Sequence, residues 1–385
     1  GGFAGLAAAR QLAGSGHRVV LVDRQRYHTF IPMLYQVATQ GLPPQTVAVP
    51  FVDLFDEQDG IRVHQANAKG IDAAQQVLET DGGPVPYDWL ILAHGAESHF
   101  YGMDNLKTTP ALHSLPDALR MRQELETAWQ AAASFSPAER GHPYTVVVVG
   151  GGPTGIELAG ALADRLLQGA IPGVAAPRQR IRLHLLEGAP RLLPSMSEAS
   201  GKQAEADLRE KGVRVHTKAL VKDWTDEVLT LGDGSKLPAQ QVLWAAGIRG
   251  KALPGLPEAS YQNGRYLMDD HLQVAGTERI LAAGDVATMR HVHYPGVAQL
   301  AIQQGDYAGR HILGSTQGPF SFFNKGIAAI VANGRAVADL PAGVQLTQEA
   351  AWALWLGVHA WYLPMLQNKS NALAHWLERA PRKLL

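Results

Sequence analysis

At 385 residues with a formal net charge of -1, the chain is long enough for two or three domains around a large core, and nothing in its overall field favours nucleic acid. It contains no cysteine, which excludes disulfides, thiolate zinc sites, Cys-ligated iron–sulfur clusters and CxxC redox pairs.

The sequence opens inside a glycine turn, Gly1-Gly2-Phe3-Ala4-Gly5, without the hydrophobic strand that should precede it. It therefore reads as a piece of a longer protein, whose native start and any targeting signal lie elsewhere. Residues 6–12 form a good helix stopped at Gly16, and residues 17–23 read as a buried parallel strand ending at Asp23. Asp23 follows Gly5 by 18 positions, close to the spacing at which a carboxylate meets an adenosine ribose. A glycine turn beside an unrelated surface Asp would look similar alone, but turn, helix, strand and acid agree here. Residues 87–95 are an apolar strand ending in a small-residue turn, Ala93-His94-Gly95.

A second unit is complete. Residues 146–149 form its strand, Gly150, Gly152 and Gly155 its turn, with Pro153 and Thr154 between them, and residues 156–162 open its helix. Such glycines let backbone N–H groups at a helix N-terminus approach a pyrophosphate. After a Gly/Pro/Arg insertion over 168–179, residues 180–187 form the next strand, ending at Glu187. A carboxylate there accepts from a ribose 2′-OH and repels a 2′-phosphate, so NADH is favoured over NADPH, although nearby Arg191 blurs the distinction. Residues 241–248 repeat the closing-strand pattern and turn at Gly247.

These residues resemble the two-dinucleotide-domain flavoproteins, and more closely the type II NADH:quinone oxidoreductases, over nearly all of the chain. The resemblance implies an α/β fold of two Rossmann-like, glutathione-reductase-like domains with a C-terminal amphipathic helical membrane anchor. FAD would occupy a discontinuous domain, residues 1–108 and 266–345, with NADH held by 109–265. Residues 280–285, ending in Gly284-Asp285, look like the second flavin motif. Residues 30–39 look like the segment beside the isoalloxazine. Ala298-Gln299-Leu300-Ala301-Ile302-Gln303 fits an AQxAxQ quinone-site pattern, and Lys325 resembles a lysine near flavin and quinone. Gly2, Phe3, Ala4, Gly5, Asp23, Arg24, Ala68, Ala93, Gly95, Gly284, Asp285, Ala298 and Gln299 are then candidates for FAD. Gly150, Gly152, Pro153, Thr154, Gly155, Glu187 and Gly247 are candidates for NADH. His94 stands where many relatives have Thr, which puts local FAD contacts in doubt. Glu157 is a candidate to assist protonation, or else a helix-start carboxylate stabilised by the dipole. Gln299 and Gln303, four apart, would share a helix face and reach quinone carbonyls.

Four of the eight tryptophans, Trp352, Trp355, Trp361 and Trp376, fall after residue 350. The apolar run 350–366 is interrupted by Gly357, His359 and Pro364 and is short of the roughly 20 residues needed to span a bilayer. Residues 346–385 are therefore expected to lie on a phospholipid surface, rings at the interface, with Lys369, Arg379, Arg382 and Lys383 toward anionic lipid. Packing on the protein's own core is the other reading of this tail.

The expected reaction passes a hydride from NADH to flavin N5 and two electrons on to a membrane quinone, without proton pumping. The expected location is the cytoplasmic face of the cell membrane, or an organelle inner membrane in a eukaryote, and a homodimer is compatible with it. Sulfide:quinone and disulfide reductases need cysteines that are absent. A ferredoxin- or rubredoxin-type reductase, or a flavin redox sensor, is the alternative.

Overall fold

In the computed structural model the first glycine turn leads straight into the Phe3–Leu12 helix, and the parallel strand Val19–Asp23 follows. The described residues are 1–379 without 57, 58, 170, 172, 173, 175, 176 and 293, so Arg382, Lys383 and part of the 168–179 insertion lie outside them. The chain divides into two compact units. One comprises Gly1–Thr29, Ala48–Glu97 and Ile248–Lys325; the other comprises Phe30–Val47, Ser98–Gly247 and Gly326–Leu385.

In the first unit, Val19–Asp23 pairs in parallel with Ile61–Gln65, so that Asp23 lies opposite Gln65. Leu90–Leu92 pairs in parallel with Ile280–Ala282, which sets the 93–95 turn beside the turn at Gly284. Tyr266, Leu272, Ile280, Ala282 and Val286 form the core beneath these strands. The Ala298–Ile312 helix lies against Phe3–Leu12, and two glycines make the approach possible. A Cβ on Gly305 would lie 2.1 Å from the Ala4 carbonyl oxygen, and one on Gly309 would lie 2.6 Å from Gln11 Cβ. Neither position tolerates a side chain without separating the helices.

The second unit contains a four-stranded parallel sheet in the order Arg214–His216, Ile181–Leu186, Tyr144–Val149, Gln241–Trp244. Every residue of Tyr144–Val149 is buried, which is why this central strand reads as an unbroken apolar run rather than an alternating one. The Pro153–Leu167 helix packs on the Ile327–Ala332 strand. A Cβ on Gly160 would lie 1.6 Å from the Val331 carbonyl oxygen, so the crossing depends on glycine.

The C-terminal run forms two helices, Gln348–Tyr362 and Leu366–Arg379, separated at Pro364 as proline requires. Their tryptophans correct the expectation of a ring-studded interfacial face. Trp352, Trp355 and Trp376 are buried within the unit, while Trp361 is 76% exposed. Period 3.6 places Trp352, Trp355 and His359 on the inward stripe and Val358 and Trp361 on the outward one. Density of tryptophan alone did not distinguish these stripes. One face of the tail packs on the protein, and the other exposes Val358, Trp361, Leu366, Leu373 and Leu377. Among the described residues no helix is long and apolar enough to cross a membrane.

Candidate functional site

In the first unit several of the expected flavin residues, Asp23, Ala93 and Gly284, lie near the start of the Phe3–Leu12 helix. Gly2 is its N-cap, in extended conformation and with no side-chain cap. A Cβ on Gly1 would meet Asp23 Oδ2 at 2.6 Å, so the strand-end carboxylate stands at the turn, as the spacing requires. One on Gly5 would meet Ala93 Cβ at 3.7 Å, and one on Gly284 would meet Ala4 Cβ at 3.6 Å. Phe3 meets His28 edge to face at 5.2 Å, behind the same turn. Arg24 is exposed one residue beyond Asp23, and Ala68 begins the Ala68–Asp72 strand opposite Thr80. Gly95 has φ +74 with open space around its Cβ position. At His94, Nε2 lies 3.1 Å from the Lys251 carbonyl oxygen and the ring meets Tyr266 edge-on.

Asp285 sits in the short turn Gly284–Val286, on a cavity lined by Gly284, Thr288, Tyr294, Gly296 and Gln304. Gln304 was not anticipated. Its buried Oε1 accepts from the Gly284 N–H at 2.7 Å and ties the Asp285 turn to the Ala298–Ile312 helix. The available signal was a polar residue on the stripe that also buries Leu300, Tyr307 and Ala308.

Ala298 opens that helix, and Gln299 and Gln303 do share a face. Both amides engage the backbone of 323–325. Gln303 Nε2 donates to the Phe323 carbonyl and its Oε1 accepts the Phe323 N–H, each at 2.9 Å. Gln299 Oε1 accepts the Lys325 N–H at 3.0 Å. The two glutamines thus fasten the segment that carries exposed Lys325.

In the second unit the glycine turn expected to hold NADH is closely packed. Gly150 has φ +115, and a Cβ there would lie 2.5 Å from the Ala245 carbonyl oxygen. Gly155 is closed to any side chain, since its Cβ would sit 1.8 Å from the Gly150 oxygen. Gly152 is the extended N-cap of the Pro153–Leu167 helix, Pro153 takes the first helical turn where proline is favoured, and Thr154 is exposed beside it. Glu187 Oε2 accepts the Gly151 N–H and Oε1 accepts the Ala189 N–H, both at 2.6 Å. The acid therefore braces the turn. Arg191 donates to the carbonyls of Leu193, Pro194 and Met196 at 2.8, 2.9 and 2.8 Å, so its guanidinium is committed to its own loop. Gly247 has φ +141 at the mouth of the closing strand, beside the Tyr101 hydroxyl, which donates to the Ala246 carbonyl at 3.0 Å.

Glu157, 7% exposed, lies one turn into the same helix. Burial pushes its carboxyl up to about 8, with the Ile330 N–H and the Trp355 indole opposing the rise. The Trp355 N–H approaches without reaching hydrogen-bond geometry and has no other partner. This is not an ordinary helix-start carboxylate in water. Tyr35 and Gln36, within the Leu34–Ala38 helix, are buried in the same unit. Gln299, Gln303 and Lys325 belong to the other unit.

Two glycine turns, each opening a helix and each met by a strand-end acid, define an oxidoreductase of the two-dinucleotide-domain class. Residues 1–305 match the family model described as pyridine nucleotide-disulphide oxidoreductase. The chain is 33% identical to the type II NADH:quinone oxidoreductase Ndh of Mycobacterium tuberculosis, with 97% of this chain and 85% of that protein covered. It is 30% identical to the demethylphylloquinone reductase NdbB of a Synechocystis species, with 98% and 94% covered. Among solved structures, NDH2 from Plasmodium falciparum in complex with NADH has the same fold, with a TM-score of 0.88 at 17% identity, covering 98% of this chain and 96% of that one. The chain belongs to the pyridine nucleotide-disulphide oxidoreductase family and, within it, to the type II NADH:quinone oxidoreductases.

Proposed function

We infer that this chain oxidises NADH and reduces a quinone by two electrons, without proton pumping and with FAD as its resident cofactor. The observation that carries this reading is the kinship to a type II NADH:quinone oxidoreductase across 97% of the chain. The residues fit two dinucleotides. Neither turn's helix has a side-chain cap at its N-terminus, and a Cβ at Gly152 would meet nothing within 4 Å, which suits pyrophosphate oxygens. When bound, FAD supplies the two-electron relay between nicotinamide and quinone.

The flavin domain is proposed as 1–108 with 266–345, the NADH domain as 109–265 and the membrane-associating part as 346–385. Compactness groups some of these residues differently, since 30–47, 98–108 and 326–345 fall in the second unit and 248–265 in the first. Gly2, Phe3, Ala4, Gly5, Asp23, Arg24, Ala68, Ala93, Gly95, Gly284, Asp285, Ala298 and Gln299 are assigned to FAD. Gly150, Gly152, Pro153, Thr154, Gly155, Glu187 and Gly247 are assigned to NADH. NADH is favoured over NADPH because Glu187 places negative charge at the strand end and Arg191 is turned to its own loop. Gln299 and Gln303 orient the 323–325 segment so that Lys325 serves the quinone side. Glu157, protonated at neutral pH by burial, holds a proton for the reduced quinone.

The outward face of the C-terminal helices is proposed to rest on a phospholipid surface, at the cytoplasmic face of a cell membrane or at an organelle inner membrane. Trp361 and Leu366, 76% and 81% exposed, flank the break between the helices, and Lys369 lies over the Trp361 ring at 5.7 Å. A ring and a cation at one corner suit the interfacial layer. Steady-state NADH consumption with and without a short-chain quinone tests the activity. Consumption that ignores quinone but responds to a ferredoxin or rubredoxin would favour the protein-acceptor alternative.

A further inference from the structure

The four-stranded sheet of the second unit gives a bound dinucleotide a direction. Its central strand, Tyr144–Val149, lies between Ile181–Leu186 on one side and Gln241–Trp244 on the other. Glu187, placed to meet the adenosine ribose, follows the first of these neighbours, and Ala245, Ala246 and Gly247 follow the second. A dinucleotide lies across the carboxyl ends of such strands with its pyrophosphate on the glycine turn. With the adenosine toward Glu187, the nicotinamide riboside extends the opposite way, to residues 245–247.

That side is braced by residues 99–101. The His99 N–H donates to the Gly247 carbonyl at 3.0 Å, and the Trp244 indole donates to the His99 carbonyl at 2.9 Å. Phe100 packs on the Trp244 ring at 5.3 Å, beside the core that contains Val149 and Leu106. Tyr101 differs from these anchored neighbours. It is 59% exposed, its φ is +49, and its ring stacks on His99 at 4.3 Å. A left-handed backbone is unfavourable for a bulky residue and persists only where the surroundings over-determine it. Here the side-chain determinant is the hydroxyl, which donates to the Ala246 carbonyl at 3.0 Å and stands 2.5 Å from where a Cβ on Gly247 would lie. An exposed hydroxyl is equally well satisfied by water, so folding alone gains little from this bond. What the bond does fix is the plane of the peptide that joins Ala246 to Gly247. That peptide adjoins the glycine turn, since the Ala245 N–H donates to the Val149 carbonyl at 2.8 Å and the Ala245 carbonyl fills the space a Cβ on Gly150 would need.

We propose that Tyr101 is a positioning residue for the nicotinamide riboside half of NADH, holding the Ala246 carbonyl so that the peptide at 246–247 meets that half in one fixed orientation. This rests on the reading of the second unit as the NADH-binding one. The adenosine half, on the far side of the central strand, is outside the reach of this hydroxyl.

Calorimetric binding to the FAD-loaded protein reduced with dithionite, in which NADH has no flavin to reduce, tests the proposal with two ligands. One is NADH; the other is ADP, which carries the adenosine and pyrophosphate without the nicotinamide riboside. Tyr101→Phe removes only the hydroxyl and should weaken NADH binding by about threefold to tenfold, the equivalent of one lost hydrogen bond, while ADP binds as it does to wild type. Tyr101→Ala removes an exposed ring as well and should weaken NADH binding at least as much, again without change for ADP. In single turnover, the NADH concentration that gives half the limiting rate of flavin reduction should rise in the same ratio, and reoxidation by a short-chain quinone should keep its rate. NADH affinity equal to wild type in both variants would overturn the proposal. Equal losses for NADH and ADP would also overturn it, by reducing Tyr101 to a support of the whole glycine turn. Wild-type protein that binds neither ligand would instead overturn the underlying reading of the second unit.

Discussion

Gln303 and Phe323 exchange two hydrogen bonds: the glutamine amide donates to the Phe323 carbonyl and accepts its N–H, each at 2.9 Å. A side-chain amide used in this reciprocal way acts like one rung of a sheet and fixes the segment leading to Lys325. Removing it leaves both backbone groups to solvent, at about 0.5–1.5 kcal/mol for each bond. Gln303→Ala is expected to slow flavin reoxidation by quinone by about tenfold, while flavin reduction by NADH keeps its rate. Single-turnover measurements of the two half-reactions check this, and unchanged reoxidation would remove Gln303 from the quinone side.

Gly160 admits the Val331 carbonyl to within a distance that no Cβ allows. Gly160→Ala must push the Ile327–Ala332 strand off the Pro153–Leu167 helix, an overpacking that costs about 1–3 kcal/mol or more. Thermal melting should show a drop of several degrees. A melting temperature equal to wild type would show that the crossing is looser than its geometry indicates.

The folded-state rise of the Glu157 carboxyl to about 8 has a definite consequence for stability. Below the unfolded-state value of 4.5 the group is neutral in both states and costs nothing. Between there and about 8 the native state binds more protons than the unfolded one, so the stability contribution falls as pH rises, by at most about 1.4 kcal/mol per pH unit. Glu157→Gln, neutral throughout, should gain stability relative to wild type across that window, with the difference level above it. Chemical denaturation at several pH values measures it; a pH-independent difference would contradict the buried, protonated carboxyl.

Much of the fold and part of the candidate site were legible in the sequence, for physical reasons that differ by residue. Gly150 and Gly155 announce their turn because no side chain fits at either, and Asp23 and Glu187 follow because a strand of fixed rise delivers them there. The inward turn of Trp352, Trp355 and Trp376 was hidden, since tryptophan suits both a core and a lipid interface and composition does not choose between them. The hydrogen bond from Trp376 to Gln36 could not be read from sequence, because the two are 340 residues apart and only tertiary packing brings them together. Glu187 and Arg191 kept their places, but their hydrogen bonds to neighbouring backbone depend on loop geometry that no motif encodes.

Membrane association is assigned to one face of the tail only. Trp361→Ser combined with Leu366→Ser removes apolar surface that is exposed in the folded chain, so folding should be spared. Full burial of each side chain is worth about 1.5–3 kcal/mol, and binding to anionic phospholipid vesicles should fall at least tenfold. Co-sedimentation with vesicles reads this directly. Undiminished binding would locate the lipid contact elsewhere.

The central claim is most directly tested by anaerobic stopped-flow on the FAD-loaded protein, bleaching the flavin with NADH and then mixing with a short-chain quinone. The account predicts reoxidation within the range of ordinary turnover, about 1 to 1,000 per second. A flavin that bleaches with NADH but stays reduced in the presence of quinone would contradict it.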